Sequence, residues 1–307
     1  MQVVRTFSEL KLGAQAAFVA IGAFDGVHLG HQALLADMVV RARSAGCAAV
    51  AVTFDPHPAV FLHGRRPSFY LSTQADKADR LAALGLDALV VQAFDAEFAM
   101  TPAARYVATL LETTRLRELT CGRDFALGHN REGNVAYLQR AGVEAGFTVN
   151  IAVPVLIDGE VVSSTRIRQA LRDGAVEQAT RLLGRPFELA GEVVTGKQRG
   201  RTIGIPTANV LVPEELAAPA VGVYVAEALL PTGDRQRAVV NIGFRPTFNG
   251  AEPRPTYEAH VLDYAGDLYG RVVRLAFARR LRGEFKFDGV NALVAQIRRD
   301  IEEARRI

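Results

Sequence analysis

Cysteine is scarce in this chain of 307 residues, and long uninterrupted apolar runs are missing. Cys47 and Cys121 stand far apart, with no second thiol or histidine at the spacing of metal ligands. This argues against a zinc or redox site and predicts two buried, reduced cysteines without a role. No stretch approaches the ~20 apolar residues that span a bilayer, and the N-terminus lacks a secretory pattern. We therefore expect a cytoplasmic protein with no membrane partner.

A strong charge of either sign is missing too. The chain has 36 basic and 33 acidic residues, a formal net charge of +3, and basic residues that are dispersed except at an acid-balanced C-terminus. This argues against a nucleic-acid-binding stripe, while a mildly basic surface suits small anionic ligands. With 49% hydrophobic and 22% charged residues, the composition is that of a soluble globular protein.

Strands and helices alternate in the first half of the sequence. Short apolar runs predict buried strands at 17–21, 48–54, 88–91 and 119–121, and apolar residues at helical spacing predict a helix at 32–43. Alternating strand and helix predicts a Rossmann-like α/β domain with a parallel sheet.

The pattern changes near residue 184, and the chain is longer than one core usually spans. We expect one domain at 1–184 and a second at 185–307. Short strands joined by Gly, Pro, Asn and Asp turns predict a small antiparallel β-barrel in the second domain. A terminal helix capped by Asp288 is predicted to cover one side of it. The predicted strands are 187–194, 222–230, 237–242, 257–262 and 272–278.

A glycine-rich segment, Gly22–His31, links the first predicted strand to the first helix. It therefore lies at the carboxyl edge of the sheet, where open α/β folds bind ligands. Glycines let backbone amides approach phosphates, and a helix start and two imidazoles can stabilise negative charge. The segment predicts a nucleotide cradle without a catalytic lysine. The alternative is that His28 and His31 only cap the helix. The candidate ATP-binding residues are Gly22, Phe24, Asp25 and Gly30.

A second phosphate-binding element is predicted at 163–168, where a helix opens after the Asp158-Gly159 turn. Ser164, Thr165 and Arg168 bring hydroxyls and a guanidinium to its start, which suits ATP phosphates. By itself this could be an ordinary helix cap.

The glycine-rich segment, with His28-Leu29-Gly30-His31, resembles the His-x-Gly-His signature of the nucleotidylyltransferases, and the two elements together make the match specific. The resemblance implies that His28 and His31 are catalytic and stabilise charge on the α-phosphate and the departing pyrophosphate. It also implies direct attack by a substrate phosphate, with no covalent intermediate.

Two further segments, 53–58 (TFDPHP) and 122–129 (GRDFALGH), resemble the flavin-adenylylating branch, the bifunctional bacterial riboflavin kinase/FAD synthetases. The resemblance implies that both segments line an FMN site. Leu127 stands where many members carry a second aromatic residue. Core packing is the alternative for Phe54 and Phe125. The implied flavin-binding residues are Phe54, His57, Pro58, Tyr106, Asp124 and Phe125.

The segment 196–209 combines a glycine-rich turn, cations and Pro-Thr-Ala-Asn, and it resembles the riboflavin kinase signature. Thr207 and Asn209 offer hard neutral oxygen ligands suited to Mg²⁺ on ATP phosphates. Local backbone bonding is the alternative use of both side chains. The candidate ATP-binding residues here are Gly196, Arg201 and Gly204.

Segments 241–247 and 256–263 follow in family order. The resemblance implies that Glu258 is the general base for the riboflavin 5′-hydroxyl and that Arg282, Phe285 and the last helix cover the flavin. The alternative for Glu258 is a salt bridge to an arginine.

The resemblance thus implies that the C-terminal half phosphorylates riboflavin to FMN and the N-terminal half adenylylates FMN to FAD, with ATP and Mg²⁺. A class I aminoacyl-tRNA synthetase is one rival, but it would need a lysine-rich second signature and an RNA-binding module. A catalytically idle flavin-binding protein is the other. The sequence does not predict the oligomeric state.

Overall fold

The computed structural model describes residues 1–64, 68–196, 200, 204–245 and 254–307, with the backbone alone at Arg245. The chain forms two compact units. The first comprises Met1–Arg66 and Thr73–Ser163, and the second comprises Pro67–Ser72 and Ser164–Ile307.

The first unit is built on a six-stranded parallel sheet in the order β1-β4-β3-β2-β5-β8, which confirms the predicted α/β domain. Its strands are β1 (Gln2–Val4), β2 (Ala17–Ile21), β3 (Ala48–Asp55), β4 (Ala88–Ala93), β5 (Leu116–Cys121), β6 (Ala126–Leu127), β7 (Gly133–Asn134), β8 (Thr148–Ile151), β9 (Leu156–Ile157) and β10 (Glu160–Val161). Its helices are α1 (Leu29–Ser44), α2 (Pro58–His63), α3 (Gln74–Ala83), α4 (Ala96–Ala99), α5 (Ala103–Thr114) and α6 (Val135–Ala145).

The central strand β2 is buried at every position, which explains its continuous apolar run. Because side chains alternate across a strand, Val19 packs into one cluster with Leu110 of α5. Phe18 packs into another cluster on the opposite face, with Leu35 and Met38 of α1. The sheet is therefore covered on both faces, and its carboxyl edge is left for loops.

The second unit is a closed antiparallel barrel in the order β11-β12-β15-β14-β13-β16, with two helices before it and one after it. Its helices are α7 (Ser164–Arg172), α8 (Val176–Leu183) and α9 (Val290–Arg306). Its strands are β11 (Phe187–Val194), β12 (Ala208–Leu211), β13 (Gly222–Leu229), β14 (Arg235–Arg245), β15 (Arg254–Val261) and β16 (Val272–Arg282).

The predicted barrel is confirmed, with β12 as a strand beyond the five predicted. Phe187, Tyr224 and Phe277 fill its interior, with the Tyr224 and Phe277 ring centroids 5.6 Å apart. Helices α7 and α8 belong to this compact unit, although the domain boundary was predicted after them, at 184/185. The boundary at 184/185, which separates the two expected activities, stays a prediction.

Helix α9 packs on the outside of the barrel, where Ile301 and Ala304 join a cluster with Val223 and Val225. It begins one residue later than a cap at Asp288 would require. Gly289 holds the cap position in extended backbone, and the helix start has no side-chain cap bond. The predicted cap was therefore wrong.

Both cysteines are free, as predicted, but only Cys121 is buried, since Cys47 is half-buried. Burial raises the pKa of the Cys121 thiol to about 11, which makes it unreactive at neutral pH. Within the described ranges, no helix is long and apolar enough to cross a membrane.

A buried ion pair anchors α9 to the end of β16. Asp300 is 3% exposed and accepts hydrogen bonds from Arg282 Nη2 at 2.7 Å and from Gln296 at 2.7 Å. Asp263 makes a second pair to this helix through Arg305, at 2.8 Å, but both partners of that pair are largely exposed.

We predict that Asp300→Asn destabilises the second unit by about 3 kcal/mol, because it leaves a buried guanidinium without a counter-charge. Hydrogen exchange of β16 and α9, followed by mass spectrometry, measures this loss. Asp263→Asn is the matched control, and little change is expected because water screens the exposed pair. Equal effects of the two substitutions would contradict the role given to burial.

Candidate active sites

The first candidate site is the loop between β2 and α1, at the carboxyl edge of the parallel sheet. His28 is the N-cap of α1, and its Nδ1 accepts a hydrogen bond from the backbone N–H of His31 at 3.4 Å. The two imidazoles stack with centroids 3.6 Å apart and planes 19° apart. The capping alternative is therefore realised by His28, and capping places both rings together at the positive end of the helix. When His28 is neutral, its proton lies on Nε2.

His31 lies in a strongly desolvated position. The Phe24 ring meets it edge-on at 5.3 Å, and Nδ1 of His31 has no hydrogen-bond partner among the described residues. Burial, followed by the nearby His28 and Lys77, holds the pKa of His31 well below its ordinary value. His31 is therefore neutral at pH 7.

The loop backbone is held in an unusual conformation. Phe24 and Val27 have φ of 46° and 41°, and for a β-branched residue such as Val27 this is strained. Packing explains why glycine occupies position 30, since an added Cβ would lie 3.2 Å from the His28 ring. Gly22 is similarly close to the Phe24 ring. Asp25 between them is buried.

Lys77 is a residue of this site that sequence reasoning missed. The loop itself contains no lysine, as expected, but Lys77 reaches it from α3 and is only 2% exposed. Its Nζ donates to the carbonyl oxygen of Ala23 at 2.9 Å and to Thr53 Oγ1 at 3.3 Å. The available signal was helical spacing, because Lys77 lies four residues before Leu81, the other buried residue of α3.

An aromatic cluster lies beside this loop and contains two predicted flavin residues. Phe54 packs against Phe94 at 5.7 Å and Phe98 at 5.9 Å, and Phe98 packs against Tyr106 at 5.4 Å. Phe61 extends the cluster toward solvent through Phe94, at 5.6 Å. Core packing therefore describes Tyr106, which is 4% exposed, while Phe54 is half-buried. Burial raises the pKa of the Tyr106 hydroxyl, which has no partner among the described residues.

The other predicted flavin residues of the first unit occupy different environments. His57 caps α2 by accepting from the Ala59 N–H at 3.0 Å, and Pro58 is the first residue of that helix. Phe125 is half-buried against the core, Asp124 is exposed, and Leu127 is buried in the core. Leu127 thus packs inward instead of forming an exposed wall.

Three residues predicted to bind ATP lie in the second unit, at the start of α7. Ser164 is its first residue, and Thr165 is exposed. The Arg168 guanidinium stacks over the Phe69 ring at 4.0 Å, and its Nε donates to the Phe69 carbonyl at 2.7 Å. Arg168 is thereby held in place by Phe69.

The second candidate site lies on the barrel, where strand register aligns three polar residues. Glu258 of β15 pairs directly with Asn209 of β12 on one side and with Asn241 of β14 on the other. Directly opposed residues point to the same face, so the three side chains form one row. Asn241 was not predicted as a site residue. The sequence feature that could have identified it is its place in the motif at 241–247. Residues 246 and 247 of that motif lie outside the described ranges.

Two cavities lie in this part of the barrel, and the larger one reaches the row. One of about 850 Å³ lies between the barrel and α9 and is lined by Glu258, Asn241, Arg282 and Phe285. The other, of about 590 Å³, is lined by Gly200, Gly204 and the 264–269 segment. Thr207 and Gly200 line both cavities. Thr207 therefore lies where two ligands would meet.

The Thr207 segment is held by neighbouring strands. His260 Nδ1 lies 2.7 Å from the carbonyl oxygen of Pro206, and Gly196 packs tightly against the Asn209 amide. Gly204 has φ of 75°, a conformation that favours glycine, and lines the smaller cavity. Arg201 and the cations at 197 and 199 lie outside the described residues.

The predicted cover of the larger cavity contains Arg282 and Phe285, 4.6 Å apart in a cation–π contact. Within the part of the chain that the structure describes, no arginine pairs with Glu258, so the salt-bridge alternative is not observed there. A search of the same residues finds no cluster of three His, Cys, Asp or Glu that could hold a metal. The hydroxyl of Thr207 and the amide of Asn209 remain the fitting donors for a hard cation.

Comparison with known proteins decides between these readings. The family model of FAD synthetase matches residues 11–166, and that of riboflavin kinase matches residues 183–307. A bifunctional riboflavin kinase/FMN adenylyltransferase from Pseudomonas fluorescens is 38% identical over 306 residues, which is 99% of this chain and 97% of the relative. This chain belongs to that family. The family member from Escherichia coli K12 is 38% identical to this chain over 307 residues. The member from Listeria monocytogenes is 34% identical, over 94% of this chain and 91% of the relative.

One solved structure aligns with nearly the whole chain. A macrolide-efflux protein from Streptococcus pneumoniae has a TM-score of 0.88 and 32% identity, with coverage of 99% of this chain and 98% of that one. Its arrangement agrees with the two architectures described above. The family resemblance drawn from the sequence motifs is thus confirmed over both halves. The alternative of a class I aminoacyl-tRNA synthetase finds no support.

In this bifunctional family member, we predict that the His31 imidazole titrates well below the ordinary histidine pKa of ~6.5. Burial lowers the pKa, so His31 stays neutral as the pH falls through 6.5, whereas in the unfolded chain it would already bind a proton. The stability that this neutral histidine contributes is therefore full above pH 6.5 and is lost as the pH falls through the folded-state pKa. NMR titration of the imidazole resonances, with His31→Asn for assignment, measures the midpoint. A midpoint at or above 6.5 would contradict the environment described.

Proposed function

We propose that this chain makes FMN and FAD in succession. The riboflavin kinase domain, 185–307, transfers the γ-phosphoryl group of ATP to riboflavin, and the adenylyltransferase domain, 1–184, transfers the adenylyl group of ATP to FMN. The observation that carries the proposal is the stacked pair His28 and His31 at the N-terminus of α1, on the carboxyl edge of a parallel sheet. ATP as co-substrate supports a cytoplasmic location, with the small molecules riboflavin, FMN and ATP as partners.

Adenylyl transfer needs stabilisation of charge more than proton transfer. A phosphate oxygen of FMN attacks the α-phosphorus of ATP, the bond to the bridging oxygen breaks, and pyrophosphate leaves with the electron pair. His28 Nε2–H and the imidazole of His31 donate to the oxygens that gain charge, together with the helix dipole of α1. Gly22, Phe24, Asp25 and Gly30 shape the backbone that receives ATP.

The remaining phosphate and flavin contacts belong to the same proposal. We assign Ser164, Thr165 and Arg168 to the ATP phosphates, since a helix start with hydroxyls and a guanidinium favours anions. The half-buried Phe54 and Phe125 offer faces to the flavin ring, and Tyr106 supports Phe54 through Phe98. His57, Pro58 and Asp124 complete the assigned set around FMN.

Phosphoryl transfer to riboflavin uses the barrel. Glu258 accepts the proton of the 5′-hydroxyl as that oxygen attacks the γ-phosphorus, and ADP leaves. The larger cavity, with Arg282 and Phe285, suits the flavin, and the smaller one, with Gly196 and Gly204 nearby, suits the nucleotide. The shared Thr207 then lies at the point of transfer.

Thr207 and Asn209 are the residues that would hold Mg²⁺. Bound there, the ion would neutralise charge on the ATP phosphates. The register places Asn209 directly beside Glu258, so the metal ligand and the base lie on neighbouring strands.

Two substitutions separate the activities. We predict that His28→Ala lowers FAD formation from FMN about a hundredfold and leaves FMN formation intact, because it removes one donor to the transition state. Glu258→Gln should lower FMN formation about a hundredfold while supplied FMN is still converted to FAD. Chromatography of flavins after incubation with riboflavin, ATP and Mg²⁺ measures both.

The exposed His63 and the half-buried Glu227, which pairs with Arg235, provide matched controls, and His63→Ala and Glu227→Gln should retain both activities. A wild-type protein that binds flavin but makes neither product would replace the proposal with the idle flavin-binding alternative. Loss of both activities in either single variant would contradict the assignment of one reaction to each half.

We also predict that Gly196→Ala raises the Mg²⁺ concentration needed for half-maximal kinase rate by at least about tenfold, because the added methyl group displaces the Asn209 amide. Initial rates over a Mg²⁺ series measure the shift. Gly122→Ala, at a position with open space around it, is the control. An unchanged Mg²⁺ dependence in Gly196→Ala would remove Asn209 from the metal site.

A further inference from the structure

The chain uses arginine almost everywhere, with 32 arginines and four lysines. Of the three lysines that the structure describes, Lys11 and Lys286 are exposed and Lys77 is 2% exposed. Burying an ammonium group is costly unless polar partners compensate. Desolvation accordingly lowers the pKa of Lys77, and the nearby Asp25 and Asp55 partly oppose that shift. The location of Lys77 therefore calls for an explanation beyond surface solubility.

Lys77 closes a small polar ring behind the histidine loop. Its Nζ donates to the Ala23 carbonyl at 2.9 Å and to Thr53 Oγ1 at 3.3 Å, and Thr53 Oγ1 donates to the same carbonyl at 2.9 Å. The two donors fix the Ala23 oxygen from α3 and from the end of β3. The ring thus ties the loop after β2 to two neighbouring elements.

The fixed carbonyl directly precedes the strained part of the loop. Phe24 follows it with φ of 46°, and Val27 has φ of 41°. Such conformations persist only where the surroundings over-determine them. The Phe24 ring in turn contacts His31 edge-on at 5.3 Å. A continuous set of contacts therefore runs from Lys77 through Ala23 and Phe24 to His31.

Lysine suits this position better than arginine. Its ammonium is compact and points three donors from one atom, whereas a guanidinium is a wide planar fork. Two acceptors that already touch each other, Ala23 O and Thr53 Oγ1, match a compact donor.

We propose that Lys77 is a positioning residue for adenylyl transfer, which holds the Ala23 carbonyl and thereby sets the placement of Phe24 and His31. The inference rests on the proposed function of the first site. Lys77 does not need to touch ATP or FMN, because its effect passes through the loop backbone. Misplacement of the imidazoles by about 1 Å would cost about a hundredfold in rate.

The test compares Lys77→Met, which keeps the stem and removes the donors, with Lys77→Gln, which keeps an N–H donor without charge. For FAD formation from supplied FMN, Lys77→Met should lower kcat about a hundredfold and change KM for ATP and FMN less than about threefold. Lys77→Gln should recover kcat to within about fivefold of wild type. Riboflavin kinase activity of the same samples should be unchanged, and Lys11→Met is the matched control.

Several outcomes would overturn the inference. Wild-type kcat in Lys77→Met would show that the ring does not position the loop, and equal loss in the Met and Gln variants would show that its hydrogen bonds are not the cause. If Lys77→Met fails to fold, Lys77→Gln decides alone, and a kcat more than about fivefold below wild type in that variant would overturn the inference. A wild-type protein that makes no FAD overturns the proposed function instead, and this inference with it.

Discussion

Strand register is the constraint on which both sites depend. In the first unit, the parallel pairing of β2 with β3 brings the loop after Ile21 beside Thr53, so that one hydroxyl and one ammonium can hold the same carbonyl. In the barrel, the pairing of three antiparallel strands places Asn209, Glu258 and Asn241 in a row. A slip of one residue would turn Glu258 to the opposite face and separate it from the proposed kinase site.

Local sequence patterns predict the elements well, because burial on both faces leaves a continuous apolar run. Strand 17–21 and strand 187–194 were predicted with the bounds that the structure has. The features that escaped prediction are those set by distant pairing. Strand β12 has only four residues, too few to show a pattern of its own, and Lys77 contacts the Ala23 carbonyl of its loop across 54 residues of sequence.

The same reasoning explains which predicted site residues lie together in the structure and which pack in the core. The motif containing His28 and His31 is local, so one helix start brings both imidazoles together. Aromatic residues are different, because the sequence does not distinguish a ligand platform from a core. Tyr106 proves to be packed within its cluster, while Phe54 in the same cluster is half-buried. The roles assigned to both toward flavin stay proposals.

The two sites differ chemically in the way their nucleophiles require. The phosphate of FMN is already an anion, so its attack needs no base, and the first site offers imidazoles, one of them held neutral by burial, at a helix N-terminus. The hydroxyl of riboflavin must lose a proton as it attacks, and Glu258, the base that we propose, lines the larger cavity of the second site. A site without a carboxylate would leave the second reaction without a base. One nucleophile must lose a proton and the other does not, which gives a physical reason for keeping the two reactions on separate sites of one chain.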